Sequence, residues 1–320
     1  MSCPVGVDVA LAARLLREGK LVSFATETVY GLGANALDVN AVARVFAVKN
    51  RPHFDPLIVH VADRSWLPRL VVSWPEAAEL LAKRFWPGPL TLVLPKTEMV
   101  PDLVTSGLPS VAVRMPAHPL ALELLRLADV PVAAPSANLF GQLSPTCAEH
   151  VAERLGDQID YLLDGGPCSV GVESTVLLLE SGRAVLLRPG GVPLEEIESV
   201  IGPVALPSSE TTSDQAAALS PGMLPQHYAP RTPLVIVEDL SRVTAPASCG
   251  LLILQPHPED CGFAAVEVLS ANGDLTAAAA NFFAALRQLD ASQVEQIVAM
   301  PFPNHGLGRA LNDRLMRAAH

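Results

Sequence analysis

Residues 131–146, PVAAPSANLFGQLSPT, hold the transition on which the fold turns. The apolar run ending at Pro135 has the makeup of a buried strand. The small hydroxyl and amide residues behind it, with Gly141 among them, have that of a polar loop able to hold a ligand. Ser144 followed by Pro145 is expected to cap a helix running to about Leu155, whose first free N–H groups would suit an anion. Ser136, Asn138 and Ser144 would then form a hydrogen-bonding ledge. Ordinary turns use the same residue types, so the segment alone allows a plain polar turn as well.

The chain around it has 320 residues, enough for two domains or one large one. It is 50% hydrophobic and 17% charged, with mean hydropathy +0.33. Even so, Pro, Gly or a charge interrupts every apolar run before the roughly 18 residues a membrane helix needs. The opening MSCPVGVDVA lacks a basic stretch followed by an apolar one, so no secretory signal is expected and the cytoplasm is the expected location. Cys3, Cys147, Cys168, Cys249 and Cys261 are scattered with no C-x-x-C, the pattern of reduced thiols rather than a disulfide framework or zinc ribbon. A net charge of −11 argues against a surface that grips nucleic acid throughout, leaving only local basic patches. Every lysine lies at or before Lys96.

From the N-terminus, Asp8 is placed to cap the amphipathic helix VALAARLLRE, which stops at Gly19, and LVSFAT has the makeup of a half-buried strand. TETVYGLG follows, with Thr26, Glu27 and Thr28 at the strand end and Gly31 and Gly33 permitting tight backbone. It fits a substrate loop or a simple turn, but neither a P-loop nor a dinucleotide fingerprint. Asp38 caps a second helix that runs into KNRPHFDPLIVHV, where Lys49, Arg51 and Asp55 fall on the joining loop and His60 falls in or at the end of a strand. A fork-shaped Arg beside a point-charge Lys suits a polyphosphate, and equally a solvated loop paired with carboxylates. His60 likewise reads as a ligand or as a satisfied core histidine.

Farther on, SVAVRMP puts Ser110 and Arg114 on one face of a strand, and an arginine in so apolar a strand needs a carboxylate or phosphate, which a structural salt bridge also supplies. Ser174 begins the strand STVLLLE and Arg188 ends the strand RAVLLRPGG. Residues 203–232 are rich in Pro, Ser, Thr and Ala, the mark of a linker. Its SPGMLPQHYAP, with His227 and Tyr228, is too aromatic for a passive tether and is expected to fold over something. Beyond it, alternating strand and helix patterns predict a small α/β domain with nothing catalytic. The predicted organisation is a domain over 1–206, a linker and lid over 207–232, and a second domain over 233–320.

In order, TETVYGLG, KNRPHFDPLIVHV, PGPLTLVLP, VAVRMP, APSANLFGQLSPT, LDGG with GVESTV, LRPGG and SPGM with HYAP resemble the long, two-domain threonylcarbamoyl-AMP synthases, whose N-terminal part resembles the YrdC family. The resemblance runs over about the whole chain. It implies an α/β fold, a YrdC-like twisted mixed sheet with helices linked to a smaller Rossmann-like domain. It also implies a nucleotidyltransferase that makes threonylcarbamoyl-AMP and pyrophosphate from L-threonine, bicarbonate and ATP with Mg2+, for the N6-threonylcarbamoyl modification of adenosine 37 in tRNA. The product would pass to the tRNA threonylcarbamoyl-transfer machinery, with neither a membrane nor direct tRNA binding involved.

By the same resemblance, Thr28, His60, Arg114, the backbone at Ala134 and Ser174 would surround threonine. Arg51, Asp55, Ser110, Ser136, Asn138, Ser144, Arg188, His227 and Tyr228 would serve ATP, with Lys49 and Arg51 as the catalytic pair. Asp55 departs from the Asn of many relatives, and a carboxylate near phosphate repels it unless Mg2+ or an arginine intervenes. Two other readings accompany this one. A carbamoyltransferase that makes carbamoyl-adenylate would need large extra domains, and a double-stranded RNA-binding module fits poorly with the acidic balance.

Overall fold

The computed structural model describes residues 3–206, 228–258 and 262–319. Ten strands among them form one sheet: β1 (Val5–Gly6), β2 (Val22–Phe24), β3 (Gly31–Asn35), β4 (Ile58–His60), β5 (Leu90–Pro95), β6 (Ser110–Arg114), β7 (Val132–Ala133), β8 (Tyr161–Leu163), β9 (Thr175–Glu180) and β10 (Arg183–Arg188). Their order is β1-β8-β2-β3-β7-β4-β6-β5-β9-β10. The sheet is mixed: β4 runs parallel to β6 and β5 to β9, whereas β3 and β4 are both antiparallel to β7. A second sheet, β11 (Leu234–Ile236), β12 (Cys249–Ile253), β13 (Ala265–Val268) and β14 (Gln296–Ala299), is parallel throughout in the order β11-β14-β12-β13. This is the two-part α/β architecture that the resemblance implied.

The helices are α1 (Val9–Arg17), α2 (Val39–Lys49), α3 (Leu67–Leu70), α4 (Glu76–Phe85), α5 (Asp102–Thr105), α6 (Pro119–Ala128), α7 (Ala148–Leu155), α8 (Leu194–Ile201), α9 (Leu275–Ala291) and α10 (Gly308–Ala318). Asp8 and Asp38 cap α1 and α2 as their positions predict, accepting from the backbone N–H of Leu11 and of Asn40 and Ala41. β2 is buried on both faces rather than half-buried. Val22 and Phe24 pack with Leu16, Leu124 and Leu125, while the flanking Leu21 and Ala25 join the main core. No helix among the described residues is long and apolar enough to cross a membrane.

Two local expectations are corrected. Ser144 and Pro145 do not open a helix: α7 starts at Ala148, with Cys147 at its N-cap and no side-chain cap. The backbone of the preceding residues is engaged elsewhere, Pro145 O accepting from Tyr30 N and Thr146 O from Cys168 N, so the segment stays extended. Gly31 and Gly33 lie not in a loop but in β3. A Cβ at Gly33 would come within 2.8 Å of the Phe24 ring and 3.0 Å of Val132, so these glycines allow close packing across the sheet.

The domains share a core. Val29, Leu143 and Val172 of the first pack with Tyr228 and with Phe282, Phe283 and Leu286 of α9. Gly171, at φ +77°, lies directly on α9, where a Cβ would collide with the Ala279 carbonyl oxygen and with Cα of Ala280. Gly190 is similarly confined, against the backbone of Glu173, Ser174 and Thr175 where the chain enters β9. Gly190→Ala is therefore expected to lower stability by about 2–3 kcal/mol, because rigid backbone rather than a flexible side chain must yield. Urea unfolding of the variant checks this, and an unchanged midpoint would refute it.

Candidate active site

Strand ends and the turns that follow them converge on one recess. Thr26, Thr28 and Val29 come from the turn between β2 and β3, Arg51 from the connection after α2, and His60 and Arg114 from the ends of the paired strands β4 and β6. Ala134, Pro135 and Ser136 follow β7, Glu173 and Ser174 precede β9, Arg188 ends β10, and Tyr228 closes the ring.

Of the residues singled out from the sequence, Thr28, Arg51, His60, Arg114, Ala134, Ser136, Ser174, Arg188 and Tyr228 all line this recess. Lys49, Asp55, Asn138 and Ser144 are buried but are not among its lining residues. Ser110 is at the opposite end of β6 from Arg114, about 13 Å away at the usual rise per strand residue. His227, and most of the expected lid over 207–232, lie outside the described residues.

Each cation is held by oxygen. Arg114 donates from Nη2 to Glu27 Oε1 at 2.5 Å, from Nη1 to Thr28 Oγ1 at 3.0 Å and from Nε to the Gly88 carbonyl at 3.2 Å. Glu27 in turn accepts from Ala117 N at 3.0 Å. Arg188 donates to the Ser174 carbonyl at 2.9 Å and to Ser174 Oγ at 3.3 Å, and that hydroxyl also shares a 2.7 Å hydrogen bond with Thr91. Arg51 curls back on its own loop, pairing with Asp55 at 2.9 Å and donating to the carbonyls of Asp55 and Pro56. Lys49 Nζ donates to the carbonyls of Ser136 (2.6 Å) and Asn138 (2.5 Å), so it braces the loop after β7 from behind.

Burial sets the electrostatics. Desolvation, and then the Arg51 charge, push the Lys49 ammonium well below the usual lysine value. Desolvation, and then Arg114, bring His60 down to about 3, so it faces the recess as a neutral imidazole at physiological pH. Burial would raise Glu173, but Arg314, Arg188 and the Ser144 hydroxyl outweigh it and hold the carboxylate below its usual range. Three guanidiniums and one carboxylate face the recess, with Glu27 behind Arg114 and Asp55 behind Arg51, so the donors point inward while the acids stand behind them. Such a site attracts anions.

Two carboxylates central to this arrangement were given no role in the sequence. Glu27, at the strand end in TETVYGLG, is the partner that Arg114 requires. Glu173 lies within GVES, and the arginine that neutralises it, Arg314, lies 141 residues away on α10, so no local pattern joins the two. Among the described residues no group of three or more His, Cys, Asp or Glu could hold a metal ion.

Residues 14–190 match the Sua5_yciO_yrdC family model, described as Telomere recombination. Residues 192–320 match the model described as Threonylcarbamoyl-AMP synthase, C-terminal domain. Threonylcarbamoyl-AMP synthase of Pyrococcus abyssi is 47% identical over 97% of this chain and 94% of its own length. That of Bacillus subtilis is 46% identical over 98% and 93%. The crystal structure of P. abyssi Sua5 complexed with L-threonine superposes with a TM-score of 0.89 at 44% identity, covering 100% of this chain and 98% of that one.

The neutral His60 has a consequence for acid stability. Its value lies below that of the unfolded chain, so the unfolded state takes up the proton first and stability falls as pH drops from about 6.5 towards 3. At pH 5 this one group is expected to cost about 2 kcal/mol. The difference in unfolding free energy between pH 7 and pH 5 should therefore shrink by about that amount in His60→Gln, and an equal difference in both proteins would refute the assignment.

Proposed function

The chain belongs to the threonylcarbamoyl-AMP synthase family, and from that footing we propose that it converts L-threonine, bicarbonate and ATP into L-threonylcarbamoyladenylate and pyrophosphate, for threonylcarbamoyl modification of adenosine 37 in tRNA. The observation that carries this reading is the set of buried arginines, Arg51, Arg114 and Arg188, around one recess of an acidic protein. A carboxylate and a triphosphate bound side by side require that much positive charge.

The recess divides into two halves. Arg114, steadied by Glu27, would take the threonine carboxylate, with Thr28, neutral His60, the backbone at Ala134 and Ser174 completing that half. This supports for the chain the ligand named for the P. abyssi crystal structure. Arg51, Ser136, Arg188 and Tyr228 would take ATP, and Asp55, Asn138 and Ser144, buried outside the lining, would support that half, whereas Ser110 at the far end of β6 is left out of it. The Asp55 charge is already opposed by Arg51, which meets the objection that a carboxylate there repels phosphate.

No enzyme nucleophile is needed. The hydroxyl of Ser174 is committed to Thr91 and Arg188. The threonine amine attacks the bicarbonate carbon and water leaves. One oxygen of the resulting carbamate then attacks the α-phosphorus in line as pyrophosphate departs. The chain contributes position and charge: Arg51 and Arg188 meet the charge developing on the phosphates, while Lys49 holds the carbonyls of Ser136 and Asn138 and so the shape of the ATP half. Mg2+ accompanying ATP would supply charge neutralisation at the phosphates, beside Arg51 and Arg188.

In this reading residues 1–206 are the catalytic domain, 207–232 a linker and lid, and 233–320 a supporting domain. The lid's end is anchored where Ala229 N donates to the Gly141 carbonyl at 2.8 Å. The reaction is assigned to the cytoplasm, and its product to the tRNA threonylcarbamoyl-transfer machinery. The test is pyrophosphate release by the purified chain with ATP and Mg2+, expected only when both L-threonine and bicarbonate are supplied. Arg51→Ala should lower that rate by at least about 100-fold, as loss of a buried charge-stabilising donor does. Release that ignores threonine would overturn the reading, and near-normal turnover in the variant would overturn the role of Arg51.

A further inference from the structure

Arg314 belongs to α10, the last helix of the C-terminal domain, yet none of its surface is exposed. Its Nε donates to Glu173 Oε2 at 2.8 Å across the domain boundary, and Glu173 Oε1 accepts from Ser144 Oγ at 2.5 Å. Its Nη1 donates to Asp313 Oδ2 at 2.5 Å, which fixes the tilt of the guanidinium, and its Cζ lies 5.1 Å from the centre of the Tyr228 ring. Glu173 and Tyr228 line the recess, whereas Arg314 stands behind both. A lone carboxylate in the wall of a triphosphate pocket would repel its ligand, and a buried lone carboxylate is costly in itself.

Resting on the synthase reading, we propose that Arg314 is a positioning residue for the ATP half of the site. It neutralises Glu173 from the far domain, keeps that carboxylate turned to Ser144, and backs the Tyr228 ring. The C-terminal domain is then a component of the nucleotide site. The threonine half has its own carboxylate, Glu27 on Arg114, and does not draw on Arg314.

The test compares the full-length wild type with Arg314→Gln, Arg314→Lys and the double variant Arg314→Gln with Glu173→Gln. Steady-state pyrophosphate release gives KM for each substrate, calorimetry gives ATP and L-threonine binding separately, and thermal melting establishes folding. R314Q is expected to raise the ATP KM by about tenfold or more, the scale for breaking a buried charge pair, with threonine binding unchanged. The double variant should recover most of the loss, because no unpaired charge then faces the phosphates.

A merely structural role would weaken both ligands together and give no rescue. If R314Q does not fold, R314K decides. It should raise the ATP KM alone, through loss of the fork that holds Glu173 and Asp313 at once, and equal effects on both substrates overturn the proposal. An unchanged ATP KM in folded R314Q overturns the proposal and leaves the synthase reading intact. A wild type that binds neither ligand overturns that reading first, and the proposal with it.

Discussion

Buried positive charge must be met by oxygen, and that requirement shapes every segment around the recess. Lys49, Arg51, Arg114, Arg188 and Arg314 are all nearly or fully removed from solvent. The loop after α2 bends so that the carbonyls of Asp55 and Pro56 reach Arg51, and the turn after β2 is held so that Glu27 reaches Arg114. The carbonyls of Ser136 and Asn138 turn back towards Lys49. These bonds hold the guanidiniums in place before any ligand arrives, so less order remains to be imposed on binding. Losing one partner of such a pair typically costs about 3–5 kcal/mol, so the same contacts stabilise the fold and prepare the site.

The polar contacts across the domain boundary rest on an apolar one. Tyr228 lies 5.7 Å from Phe283 and is flanked by Arg314, so the end of the linker is fastened to the second domain while its neighbour Ala229 is bonded to Gly141 of the first. Arg287 of α9 adds a hydrogen bond to the Leu143 carbonyl at 2.6 Å. The stretch 139–144 is thereby held from two sides. The polar loop over residues 136–144 is thus a seam between domains, with Ser136 facing the recess.

What was legible in the sequence followed from local chemistry. Asp8 and Asp38 cap helices because a side-chain oxygen two or three residues ahead of free N–H groups acts without tertiary help. Arg114 in an apolar strand announced that it needed oxygen partners, since a buried guanidinium cannot be left without acceptors. The identity of its partner, Glu27, could not be read, because the pairing depends on how β2 and β6 are set in three dimensions. Ser144 misled for a related reason: its hydroxyl and the neighbouring carbonyls found distant partners in Glu173, Tyr30 and Cys168, and those outbid the local cap. The family resemblance, carried by motifs in order, gathered most of the recess residues, but it did not mark Glu173 or Arg314, whose link spans 141 residues of sequence.

The bare backbone of Gly171 against α9 gives the seam a fixed thickness. The two domains therefore meet as parts machined to one clearance, and neither can be resurfaced alone. A chimaera that joins this N-terminal domain to another protein's C-terminal domain inherits that clearance as a fitting tolerance of one missing methyl group.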